Sequence, residues 1–172
     1  MKGVVRRRDR LAALAVSVSL LAAGCASAAD LRDFASDGCT LFPDGDYYGC
    51  CYVHDVAYWP GGTAEQRERA DDALRACVEG VTGSATLAQV IFHAVRVGGV
   101  PELPTSYRWG FGWPYPHRKD YGPLTPDEEQ QVADKTQRLC ATLRPNPATG
   151  GYVVGPGKEI TGAQGRQICP GL

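Results

Sequence analysis

Residues 50–58 read CCYVHDVAY. No Gly, Pro or Ser interrupts the run, and it holds no Cys-x-x-Cys. Positions 51, 54, 55 and 58 are spaced i, i+3, i+4, i+7, which is one face of a helix. That face carries a thiol, an imidazole, a carboxylate and a phenol, where an ordinary amphipathic helix would place Leu or Val. The spacing predicts a helix over 48–59, stopped by Pro60-Gly61-Gly62. Thr63 followed by Gln66 is a capping box, so a second helix starts there and runs to about 79. Its Ala70, Ala73, Leu74, Cys77 and Val78 share one face. So short a connection makes the two helices antiparallel neighbours.

Outward from this pair, residues 30–49 read as loop, rich in Asp and Gly, with Pro43-Asp44-Gly45 as a turn. A third helix is expected over 85–97, ended by Gly98-Gly99 and Pro101. The tract 106–122, SYRWGFGWPYPHRKDYG, holds Tyr107, Trp109, Phe111, Trp113, Tyr115, Tyr121 and His117. Thr125-Pro126-Asp127-Glu128 combines a cap, an N1 proline and an N3 acid, and opens a fourth helix to about 143. The tail, 144–172, is Gly- and Pro-rich and reads as irregular with a short strand at 151–154; Cys140 and Cys169 could staple it. The class is mainly α, with long disulfide-tied loops.

The N-terminus bears on location. Residues 2–10 carry five cations and one aspartate, residues 11–23 are apolar but for two serines, and small residues follow. This is the pattern of a bacterial-type secretory signal over 1–29, with an apolar run well short of the roughly 20 residues that span a bilayer. Ala26-Ser27-Ala28 is a cleavage site; alternatively Ala22-Ala23-Gly24-Cys25 resembles a lipobox, with Cys25 lipidated. Either way one domain, 30–172, is exported to the periplasm or beyond. The signal carries a net +4, and without it the chain's −1 becomes −5. A basic patch is absent from the sequence, so nucleic acid is an unexpected partner. Beyond Cys25 six cysteines remain, and in an oxidising compartment three disulfides are expected. No pair has zinc-ligand spacing. Nothing in the sequence calls for more than a monomer.

If Cys50 bonds Cys77, antiparallel packing brings Asp71 towards His54. A carboxylate on one imidazole nitrogen fixes the tautomer and leaves the other nitrogen as a base. Asp55 is then free to reach a cation. The loop from Asp37 to Asp46 offers carboxylates and turn carbonyls, the oxygen ligands calcium prefers, and Asp44 could supply a second carboxylate. A base beside a cation is equipment for ester hydrolysis by activated water.

Cys51-x-x-His54-Asp55-x-x-Tyr58 resembles the core motif of the secreted phospholipase A2 superfamily. SDGCT at 36–40 with PDG at 43–45 is similar to the calcium loop of its small bacterial and fungal members, and ADDALRAC at 70–77 to the second catalytic helix of the animal enzymes. The resemblance spans 36–78. It implies His54 as general base, Asp71 orienting it, and Tyr58 bonding that aspartate. It also implies calcium held by Asp55, Asp44 and the Gly45 carbonyl. The pairings it implies are Cys50–Cys77 and Cys39–Cys51, which leaves Cys140–Cys169. The expected substrate is a phospholipid, met at a membrane surface. The animal-type Tyr-Gly-Cys loop is absent, Ala57 stands where animal enzymes carry Cys, and the chain beyond 80 has no counterpart.

Two rival functions fit the same residues: a disulfide scaffold that binds a partner or membrane without catalysis, and an esterase or lysophospholipase acting on another lipid. His93 and His117 read as structural, and Asp72 as solvated surface. The aromatic tract reads as an irregular segment packed over a small helical core, in preference to a lipid-facing wall. Arg108 within it could face a lipid phosphate.

Overall fold

The computed structural model describes residues 29–171. Residues 1–28, with Cys25 and nearly all of the expected export signal, lie outside the described residues. The described chain is mainly helical: α1 (Tyr48–Tyr58), α2 (Ala64–Thr82), α3 (Ala85–Gly98), α4 (Pro126–Thr142), then β1 (Arg144–Asn146), β2 (Gly151–Gly155), β3 (Lys158–Ile160) and α5 (Gly162–Ile168). No helix among the described residues is long and apolar enough to cross a membrane.

Local chemistry sets the boundaries. The capping boxes at Thr63/Gln66 and Thr125/Glu128 form with both hydrogen bonds in place. α2 runs on to Thr82, until Gly83 takes the left-handed conformation and Ser84 caps α3. Past α3, Gly99 is required by close approach: a Cβ there would stand 2.6 Å from the Tyr58 ring and 2.8 Å from the Val95 carbonyl.

Three cross-helix pairings fix how α1 and α2 lie. Tyr58 meets Arg67, His54 meets Asp71, and Cys50 is bonded to Cys77. Chain numbers fall on one helix as they rise on the other, so the helices are antiparallel. Leu74, Val78, Ala88 and Ile91 pack with Cys50 and Cys51 where α1, α2 and α3 meet. The opposite side of α1 is covered by the C-terminal segment through Tyr52, Leu143, Ile160 and Ile168. The bonds Cys39–Cys51, Cys50–Cys77 and Cys140–Cys169 are all present, as the resemblance implies. The last closes a 29-residue separation, which contributes roughly 3–4 kcal/mol in the chain-entropy account.

The tail departs from expectation. Instead of irregular chain with one strand at 151–154, it forms an antiparallel sheet in the order β1-β2-β3 and a fifth helix. α5 opens on Thr161/Gln164, the same capping box as α2, but Gly162 and Gly165 dilute the helical signal. β1 contains Pro145, which only an edge strand tolerates.

The aromatic tract packs inward. Trp109 and Trp113 are buried, and their indole N–H groups donate to the carbonyls of Gly62 and Pro60 at 2.9 and 2.8 Å. The tract thus lies over the α1–α2 turn, while Tyr115 and Tyr121 stay exposed. Arg108 does not face outward towards a lipid. It is 1% exposed and donates to the backbone carbonyls of Trp109, Trp113, His117 and Arg118. In place of a ladder, one guanidinium satisfies the carbonyls of an irregular segment. His117 is structural, bonded to Glu128 at 2.7 Å, and His93 is exposed beside Gln89.

Arg108→Met removes those donors and leaves buried carbonyls unpaired. It is expected to cost about 2–4 kcal/mol in urea unfolding, with faster amide exchange over 106–122. An unchanged midpoint would show that the cage is dispensable.

Candidate active site

His54 and Asp71 face each other across the α1–α2 seam, 7% and 0% exposed. The His54 Nε2 lies 2.9 Å from Asp71 Oδ1. A carboxylate only accepts, so Nε2 carries the proton and Nδ1 keeps the lone pair. The Tyr58 hydroxyl, one turn along α1, donates to the same Oδ1 at 2.6 Å. Asp72 points away to an exposed pair with Arg75.

Two arginines complete the network, and neither was apparent in the sequence. Arg67, one helical turn before Asp71 on α2, is 1% exposed. Its Nε donates to the Tyr58 hydroxyl at 2.9 Å and stands 3.8 Å from Asp71 Oδ2. Its other nitrogens bond the Tyr121 hydroxyl and the carbonyls of Val95 and Arg96. Arg96, on α3, donates from Nη1 to Asp71 Oδ2 at 2.8 Å. Arg67 had one legible sign, its i,i+4 spacing from Asp71; Arg96 had none, because only the packing of α3 brings it there. Burial alone would raise the Asp71 carboxyl, but hydrogen bonds from His54, Tyr58 and Arg96 outweigh it and hold the group below the usual carboxylate range.

His54 also lines an apolar cavity of about 650 Å³, counting its open mouth. Phe42, Leu74, Ile91, Val95 and Tyr107 form its walls, and Leu41, 87% exposed, stands at its edge. Asp55 lines this cavity and also a second cleft of mixed character, where Arg32, Ser36, Asp37 and Ser106 stand beside Trp59 and Phe111. It therefore stands between the two spaces, one residue from the imidazole.

Asp55 accepts from the Ser36 hydroxyl at 2.5 Å, and Ser36 in turn accepts the Gly38 amide. Burial pushes its carboxyl up to about 8; Ser36 opposes this, while Asp37 and Asp44 reinforce it. The disulfide Cys39–Cys51 pins the loop beside it. Asp44 is already engaged. It accepts from the Cys39 amide at 3.0 Å and from Lys158 Nζ at 2.7 Å, and Lys158 holds its carboxyl below the usual range. Gly38 is needed here, since a Cβ would stand 2.4 Å from Asp44 Oδ1. The Gly45 carbonyl accepts the Tyr48 amide, opening α1.

Calcium fits Asp55 better than it fits the whole expected set. Asp55 is a partly buried carboxyl with a hydroxyl donor, two further carboxylates acting on it and no cation partner among the described residues, so a bound cation could take the place of its proton. Asp44 already has its cation in Lys158, and no cluster of three or more His, Cys, Asp or Glu is gathered among the described residues. A site at Asp55 would therefore draw on backbone carbonyls of the loop and on water, which calcium accepts.

Compared with known proteins, the chain matches no family model, no curated protein and no solved structure.

The raised Asp55 carboxyl makes metal-free stability depend on pH with a definite sign. The folded state keeps the proton to about pH 8, whereas the unfolded chain releases it near 3.8. Stability from this group is complete below the lower value and is lost as pH rises through the upper one. Asp55→Asn should thus unfold at higher denaturant than the wild type at pH 8.5 in chelator, and the gap should close towards pH 4. A gap independent of pH would contradict the assignment.

Proposed function

We propose that the protein is an exported, calcium-dependent hydrolase of the phospholipase A2 type, cleaving an acyl ester of a glycerophospholipid. One observation carries the reading: His54, its Nε2 engaged by a fully buried carboxylate, borders an apolar cavity that opens to the surface. His54 Nδ1 would accept a proton from water as the water oxygen attacks the ester carbonyl. The imidazolium so formed stands against Asp71, whose charge stabilises it. As the tetrahedral intermediate collapses, the proton passes to the departing glycerol oxygen. The products are a fatty acid and a lysophospholipid, with no covalent intermediate. Calcium, when bound at Asp55, would supply positive charge for the developing oxyanion and the phosphate. The three disulfides suit an oxidising compartment.

A second reading is a non-catalytic scaffold with the same helices, favoured by Lys158, a built-in cation on Asp44. Fatty acid release from phosphatidylcholine or phosphatidylglycerol vesicles separates the two. Release should stop in chelator and return with calcium. His54→Gln should lose about three orders of magnitude in kcat while keeping its unfolding midpoint. Release by His54→Gln at the wild-type rate, or none from any vesicle by wild-type protein binding calcium, would overturn the catalytic reading.

A further inference from the structure

We propose that Arg96 is a positioning residue for this site: by holding Asp71 Oδ2 from α3, it fixes the carboxylate plane so that Oδ1 faces His54 and Tyr58. The inference rests on the catalytic reading for its kinetic consequence, but not for its geometry.

An aspartate carboxyl turns broadly about its last torsion, so a single hydrogen bond from His54 does not define which oxygen the imidazole meets. Four contacts do. Oδ1 accepts from His54 and Tyr58, and Oδ2 faces the Arg96 guanidinium at 2.8 Å and Arg67 Nε at 3.8 Å. The two oxygens are thus divided between neutral donors from α1 and cations from α2 and α3.

The arginines differ in what else they do. Arg67 is fully enclosed and bonds Tyr58, Tyr121 and two α3 carbonyls, so removing it would disturb the α2–α3 packing itself. The Arg96 side chain is 35% exposed, and among the described residues its one hydrogen bond is to Asp71. A cation in the last turn of a helix is commonplace as a partner of the helix dipole, and pointing into water would serve that purpose. Here the guanidinium turns inward to a carboxylate with no exposure at all. The same helix supplies Ile91, Ala94 and Val95 to the apolar cavity. Arg96 therefore links the wall of the cavity to the aspartate behind the imidazole.

Arg96→Met, Arg96→Ala, Arg96→Lys and the wild type, each with its disulfides formed, provide the test. With calcium and phospholipid vesicles, Arg96→Met should lower kcat by about 10- to 100-fold, the scale of a small misplacement, with KM little changed. Ethylguanidinium in solution should recover part of the corresponding loss in Arg96→Ala, whose vacated volume matches that ion and opens to solvent, and Arg96→Lys should fall between wild type and Arg96→Met. Long-range proton–nitrogen NMR of the histidine rings, at a pH where they are neutral, gives a readout independent of turnover. The wild type should show His54 in the Nε2–H tautomer alone, and Arg96→Met a mixture, with His93 unchanged as control. A single tautomer in both proteins would overturn the inference, as would a loss of activity that follows the unfolding midpoint and ignores guanidinium. Should the wild type hydrolyse no lipid, the catalytic reading fails and the tautomer comparison still decides the role of Arg96.

Discussion

A single carboxylate without solvent contact, Asp71, sets the terms for the rest of the molecule. An ionised group in that position costs several kcal/mol unless its lone pairs are met. Here His54 and Tyr58 come from α1, Arg67 from α2 itself and Arg96 from α3. Three helices must therefore dock in one register, and the disulfide Cys50–Cys77 holds two of them there. The aromatic tract seals the end of the pair, with Trp109 packed edge-on against the Tyr58 ring at 5.0 Å between centroids. Packing, the covalent tie and the polar network all specify the same arrangement, which gives one native state a clear advantage over its alternatives.

The sequence made the helix pair legible because its signals are local. The i, i+3, i+4, i+7 face at 51–58, the stop at Pro60-Gly61-Gly62 and the Thr63/Gln66 box each act within a turn or two of chain. Antiparallel packing with Cys50 on Cys77 points to Asp71 and leaves Asp72 solvated, and the structure buries the first and exposes the second. What stayed hidden depends on residues distant in sequence. Arg96 reaches Asp71 across 25 positions, and Lys158 reaches Asp44 across 114. Arg108 was read by its charge alone, although its function is set by four carbonyls of a segment that has no ladder. In the tail the strand at 151–154 was legible, but glycines and prolines concealed the two strands that flank it and a helix that packs on α1.

The loop at 36–45 shows how two neighbouring carboxylates of the same kind acquire different roles. Lys158 neutralises Asp44, and its ammonium also sits 4.7 Å from the Tyr48 ring centroid. Among the described residues Asp55 has no such cation and accepts only a serine hydroxyl. The imbalance leaves Asp55, next to His54 and lining both cavities, as the carboxylate of this pair without a cation partner among the described residues. The lysine gives the loop a fixed internal charge balance at Asp44, so the proposed cation site rests on Asp55.

The central claim is that His54 and Asp71 act as one unit. A double-mutant cycle on phospholipid hydrolysis, using His54→Gln, Asp71→Asn and both together, measures this directly. The account predicts that the double variant is no slower than His54→Gln alone, within about threefold, because a carboxylate with no imidazole to orient has nothing left to contribute. Losses that multiply would show two independent effects, and the buried pair would then be scaffold and not machinery.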